Sequence, residues 1–255
     1  MAYLQMEMHS KALVMTTTVS VILPDEIKPN EKLKTLYLLH GYRGNHMDWM
    51  RYTSIERYVR DERVAIIMPE VNNGYYTDTA NGLNYFTYVA DELPKRCETI
   101  FPLSKKREDR YIAGLSMGGY GAFKIAGLRP KRFAKAISLS GSLDIKHVYE
   151  MTKETDRKGY FHSVFGKTEH RMDQQDLYAI YLKLLKEDQK PELFMACGTE
   201  DFLFEDNERF YQYLVELGYS VYYETSAGAH EWVFWDHYIE KALRWILNPN
   251  GDLTE

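Results

Sequence analysis

Short, continuous apolar runs recur along the chain at 35–39, 64–68, 111–115, 136–139, 193–197 and 221–223. Runs of this length without polar alternation mark strands covered on both faces, as in a parallel sheet. Between them, at about 49–60, 85–101, 118–128, 176–187, 205–217 and 233–247, apolar residues return at helical spacing. Strand and helix therefore alternate over the whole length, which predicts an α/β fold with a mostly parallel, doubly wound sheet flanked by helices. The β-branched segment 11–23, ending at Pro24, reads as antiparallel edge strands. No repeat, low-complexity tract or linker interrupts the pattern, so a single domain over residues 1–255 is expected.

The pattern fails in one place. Residues 142–175 are polar where a strand-to-helix connection should be short. A long connection in a compact domain is usually a functional insertion or a disordered piece. Following a parallel strand, it is placed to overhang the carboxyl ends of the sheet, where ligands bind in such folds. It reads as a small cap, with surface decoration as the alternative.

Composition narrows the function. The 255 residues are 45% hydrophobic, enough for a substantial core, and the formal net charge is −5. Lys105-Lys106-Arg107 is too short a basic run to suggest nucleic acid as a partner. Cys97 and Cys197 make no disulfide framework and have no metal-ligand spacing, so a reduced cytoplasmic pair is expected. The N-terminus lacks a basic and then apolar leader, and no apolar run approaches the roughly 20 residues that span a bilayer. A cytoplasmic protein without membrane partners is the expectation, and a homo-oligomer is left open.

The chemistry is concentrated in Gly114-x-Ser116-x-Gly118, preceded by strand-like Arg110-Tyr-Ile-Ala113 and followed by a helical run. The five-residue pattern alone recurs by chance as a glycine-rich turn. Strand, sharp turn and helix together are what a nucleophile elbow requires. A serine nucleophile needs a base, and the base needs an acid to orient it. Gly198-Thr-Glu-Asp201-Phe follows one later strand and Ala227-Gly-Ala-His230-Glu-Trp232 follows the next, which gives the order Ser116, Asp201, His230. Of the other histidines, His9 is N-terminal, His46, His147, His162 and His170 fall in polar loops, and His237 lies in the last helix. Only His40 and His230 follow strands at the active edge. Among rival acids, Glu200 should project to the other side of its turn and Asp206 should cap a helix. His40-Gly41-Tyr42-Arg43-Gly44 occupies the place of an oxyanion loop, with the backbone N–H groups of Tyr42 and Met117 as donors and His40 fixing the loop.

These motifs, with 39–46 and Pro69-x-x-Asn72-Asn-Gly74-x-Tyr76-Thr-Asp78, extend over nearly the whole chain. Together they resemble the esterase D-like branch of the α/β-hydrolases, and within it the tributyrin esterases; S-formylglutathione hydrolases and feruloyl or acetyl-xylan esterases are relatives. The resemblance implies hydrolysis of short-chain acyl esters with Ser116, Asp201 and His230 as triad, and no cofactor or metal. Trp49, Tyr76 and Trp232 are candidates for the substrate pocket. The 142–175 segment is too polar for the long apolar lid of an interface-activated lipase. A thioesterase or feruloyl esterase with the same triad, an acyltransferase, and a non-catalytic binding protein are the competing readings.

Overall fold

The computed structural model describes residues 1–167 and 172–248. Among them, eight strands form one sheet: β1 (Ala2–Ser10), β2 (Met15–Leu23), β3 (Lys34–Leu39), β4 (Val64–Pro69), β5 (Arg110–Leu115), β6 (Lys135–Leu139), β7 (Glu192–Gly198) and β8 (Val221–Ser226). Their order is β1-β2-β4-β3-β5-β6-β7-β8. The β1/β2 and β2/β4 pairs are antiparallel and all others parallel. This is the α/β-hydrolase arrangement.

The apolar runs in β3 to β7 are strands with both faces covered, whereas 221–223 lies in β8, an edge strand that is only partly buried. In β3, Leu36 and Leu38 face one layer and Tyr37 and Leu39 the other; β4 and β5 split in the same way. One layer holds α1 (Asp48–Tyr52), α2 (Ile55–Tyr58) and α10 (Trp232–Leu247). The other holds α3 (Tyr85–Thr87), α4 (Leu93–Ile100), α5 (Met117–Leu128), α8 (Leu177–Leu184) and α9 (Phe204–Glu216). The chain leaves β3 toward the first layer and β5 toward the second. Their carboxyl ends therefore flank the switch point where the crevice of such a sheet opens.

Three expectations are corrected. Residues 11–14 are a turn, so 11–23 supplies one strand, and the sheet edge is β1, whose period-two pattern ends in buried Met8 and Ser10. The helix expected over 49–60 breaks at Thr53. The Thr53 hydroxyl donates to the Trp49 carbonyl at 2.5 Å and accepts from Ile55 N–H at 3.2 Å, replacing the main-chain ladder locally. The segment 85–101 widens into a π-turn over Tyr88–Glu92 directly before Pro94, which has no N–H for the carbonyl four residues back.

The 142–175 interruption is not irregular chain: it carries α6 (Ile145–Thr152) and α7 (Arg157–Phe165). His147 and His162 thus lie in helices, while His170 lies outside the described residues. Ile145, Val148, Phe161, Val164 and Phe165 seat these helices on the core. The Tyr75 ring meets Phe161 at 5.5 Å and Phe165 at 5.4 Å, fixing α7 beside the loop that follows β4. Among the described residues, no helix is long and apolar enough to cross a membrane.

Candidate active site

Ser116 sits between β5 and α5 with φ 53° and ψ −118°, a conformation unfavourable for a residue with a side chain. Its surroundings hold it there. Its N–H donates to the Leu139 carbonyl at 2.9 Å, and its carbonyl accepts from Tyr120 and Ser142 N–H, each at 3.1 Å. The turn also needs bare backbone on either side. A Cβ at position 114 would stand 2.4 Å from the Gly118 backbone, and one at 118 would stand 2.5 Å from the Leu39 carbonyl oxygen.

His230 and Asp201 arrive on the loops after β8 and β7. Those loops cross so closely that a Cβ at position 198 would lie 2.0 Å from the Gly228 carbonyl oxygen. His230 Nε2 is 3.0 Å from Ser116 Oγ. Its Nδ1 is 2.9 Å and 3.0 Å from the two carboxylate oxygens of Asp201. Because a carboxylate can only accept, these contacts assign the imidazole proton to Nδ1 and leave Nε2 to accept from the serine hydroxyl. Asp201 is buried and also accepts Leu203 N–H at 2.9 Å. Trp235 meets the imidazole edge-on, ring centroids 4.9 Å apart, and Phe202 packs on it at 4.6 Å.

The rival acids are employed elsewhere. The Glu200 carboxylate takes Gly228 N–H at 2.5 Å, which buckles the two loops together. Asp206 does not cap α9 as expected; the helix begins at Phe204 without a side-chain cap. Asp206 is instead buried in the first turn, 2.7 Å from His147 Nδ1 and paired with Arg209.

The loop after β3 is held from both sides. His40 Nδ1 lies 2.8 Å from the Gly41 carbonyl, and its Nε2 lies 3.2 Å from Val71 N–H and 3.5 Å from the Glu70 carboxylate. Tyr76 hydroxyl donates to the His40 carbonyl at 2.9 Å. The N–H groups of Tyr42 and Met117 have no hydrogen-bond partner among the described residues, and Met117 opens α5, where a free N–H is the rule.

A cavity of about 560 Å³ joins this loop to Ser116 and His230. Of the three aromatic residues singled out in the sequence, Trp232 lines it and Trp49 and Tyr76 do not. Both are fully buried: the Trp49 indole donates to the Leu39 carbonyl at 3.0 Å behind Trp232, and Tyr76 is committed to His40. Arg43, Arg51, Tyr52 and Trp235, which no sequence motif marks, do line it. A second cavity of about 590 Å³ around Lys95, Arg129 and Lys131 contains neither serine nor histidine. Among the described residues, no cluster of three or more His, Cys, Asp or Glu is arranged to hold a metal ion.

Residues 10–246 match the family model Esterase, described as "Putative esterase". An acetyl esterase of Caldicellulosiruptor saccharolyticus is 36% identical over 96% of this chain and 98% of its own length. The chain belongs to the esterase D-like family. The esterase is similar to the solved fluorophosphonate-binding serine hydrolase F of Staphylococcus aureus, with a TM-score of 0.90, 36% identity, and 97% and 98% of the two chains covered. An S-formylglutathione hydrolase of the same organism gives 0.85 at 36% identity, covering 97% and 99%. The esterase is a serine hydrolase acting on carboxylic esters of small molecules.

Proposed function

We propose that the esterase hydrolyses short-chain acyl esters, in the manner of a tributyrin esterase, through an acyl-enzyme on Ser116. The observation that carries this reading is the unbroken hydrogen-bonded chain from Ser116 Oγ through His230 to buried Asp201, at 3.0 and 2.9 Å. His230 Nε2 takes the serine proton as Oγ attacks the carbonyl carbon, then returns it to the leaving alcohol. It next takes a proton from water, and the hydroxide releases the acid and restores Ser116. Asp201 holds the tautomer and stabilises the imidazolium. Tyr42 and Met117 N–H groups receive the oxyanion; one such donor is worth about 3 kcal/mol in the transition state. The chain acts as one catalytic domain in the cytoplasm, with α6 and α7 as its cap.

The aromatic wall made by Tyr52 stacked on Trp232, ring centroids 4.9 Å apart, favours a second reading with the same triad, in which the ester carries an aromatic group such as a feruloyl unit.

Hydrolysis of a p-nitrophenyl ester series from acetate to decanoate, beside a feruloyl ester and an acyl thioester, tests both. Butyrate-like esters should be preferred. Ser116→Ala should fall to background, and Asp201→Asn should lose about 10⁴ in kcat. Undiminished turnover by Ser116→Ala would overturn the mechanism.

A further inference from the structure

The charges around the cavity beside Ser116 do not match the rest of the molecule. The chain carries 37 acidic against 32 basic residues, yet the charged side chains lining this cavity, apart from His230, are Arg43, Arg51 and Asp48. Several arginines elsewhere find carboxylates: Arg63 pairs with Glu31, Arg110 with Glu98, Arg129 with Asp91 and Arg209 with Asp206. Among the described residues, neither Arg43 nor Arg51 has a carboxylate within 4 Å. Asp48 pairs with neither of them within 4 Å: it is buried beneath the Gly44 turn, where a Cβ would meet its carboxyl oxygen at 2.2 Å, and leaves two cations to one acid along this cavity.

Both guanidinium groups are aimed as well as free. Arg51 lies over the Tyr52 ring at 5.4 Å, and Arg43 over Tyr42 at 5.7 Å. Arg43 holds φ 65°, and its N–H is pinned to Asn73 Oδ1 at 2.7 Å. A ladder of rings links Arg51 to the reacting centre: Tyr52 stacks on Trp232, Trp232 meets Trp235 at 5.2 Å, and Trp235 meets His230 at 4.9 Å. On the other flank, Arg43 directly follows Tyr42, which lines the same cavity.

We propose that Arg43 and Arg51 form an anion subsite, which receives a carboxylate or phosphate group carried by the ester away from its scissile carbonyl. Planar guanidinium forks match both oxyanions, and a cation held on an aromatic face at a cavity mouth loses little freedom on binding them. The subsite rests on this cavity being where the ester binds, and it selects among esters without taking part in bond making.

The test compares matched pairs of esters at equal ionic strength. 4-Acetoxybenzoate is set against its methyl ester, mono-4-nitrophenyl succinate against 4-nitrophenyl pentanoate, and a phosphorylated acetoxyphenyl ester against its neutral parent. The subsite predicts an anionic-to-neutral ratio of kcat/KM above one, by about fivefold, the scale of an exposed ion pair. The excess should reside in KM and collapse near 1 M salt, where the Debye length is about 3 Å. Arg43→Gln and Arg51→Gln should each reduce the ratio, and Arg51→Lys should retain part of it. Whichever pair gives the larger ratio identifies carboxylate or phosphate. A ratio of one or less in every pair, or a ratio unchanged in both glutamine variants, overturns the proposal. The serine mechanism stands or falls separately, on the neutral esters and Ser116→Ala.

Discussion

Tyr76 shows how a side chain can govern a reaction it never touches. Its hydroxyl is fully buried and supports the His40 carbonyl, and His40 in turn holds Gly41, the residue before Tyr42. Tyr76→Phe removes that donor while leaving the ring, so the cost should be about 1 kcal/mol of stability. The loop presenting Tyr42 N–H should also be held less firmly, lowering kcat more than it raises KM. Thermal melting beside steady-state kinetics checks this; a lowered melting temperature with unchanged kcat would restrict Tyr76 to a structural role. The positions of Ser116, Asp201 and His230 after strands were legible in the sequence, because each follows an apolar run whose carboxyl end faces one edge. It could not place Trp49 or Tyr76. Whether an aromatic ring lines a cavity or lies behind it depends on neighbours from distant segments, here Leu39 and His40.

At the scale of elements, the elbow works because α5 approaches the end of β3 closer than any side chain would permit. Gly118→Ala should therefore force the two backbones apart, at a cost of about 1–3 kcal/mol or more, and abolish turnover by moving Met117 N–H. Gly159→Ala is the control: nothing lies within 4 Å of its Cβ, it sits inside α7, and the substitution should be neutral or stabilising by up to about 1 kcal/mol. Chemical denaturation of the two variants beside the wild type measures both. The parallel strands β3 to β7 were legible as unbroken apolar runs because they are buried on both faces, whereas β8, at the other edge, is only partly buried. β1 was not: one of its faces meets solvent and its pattern resembles a tail. α6 and α7 were hidden because they bury only a narrow stripe on the core, leaving a segment that is polar in sum.

For the whole molecule, the antiparallel β1–β2 hairpin has to be fastened to an otherwise parallel sheet. Glu92 provides a fastening, accepting the Ser10 hydroxyl at 2.7 Å and the N–H groups of Lys11 and Ala12 at 2.8 and 3.0 Å. Burial alone would raise its pKa, but these three donors outweigh it and lower the value below 4.5. Glu70, partly buried near the oxyanion loop, is lowered in the same sense: burial is outweighed by His40 and by the N–H groups of Asn72 and His46. A carboxyl whose folded pKa is depressed adds stability above its unfolded pKa and loses it as pH falls through the folded value. The melting temperature should therefore hold through neutral pH and fall below about 4.5, the ordinary glutamate value. Glu92→Gln should melt lower at neutral pH and show a shallower acid decline, measured by calorimetry across the range. The two cysteines give a way to watch such loosening. Cys97 in α4 and Cys197 at the end of β7 are both fully buried, and burial pushes both thiols up, that of Cys97 to about 12. A thiol-reactive dye therefore finds no target on the closed molecule, and each labelling event records an opening. If both sulfurs react in step, the sheet and its flanking helix come apart together; if one leads, it marks the part that yields first.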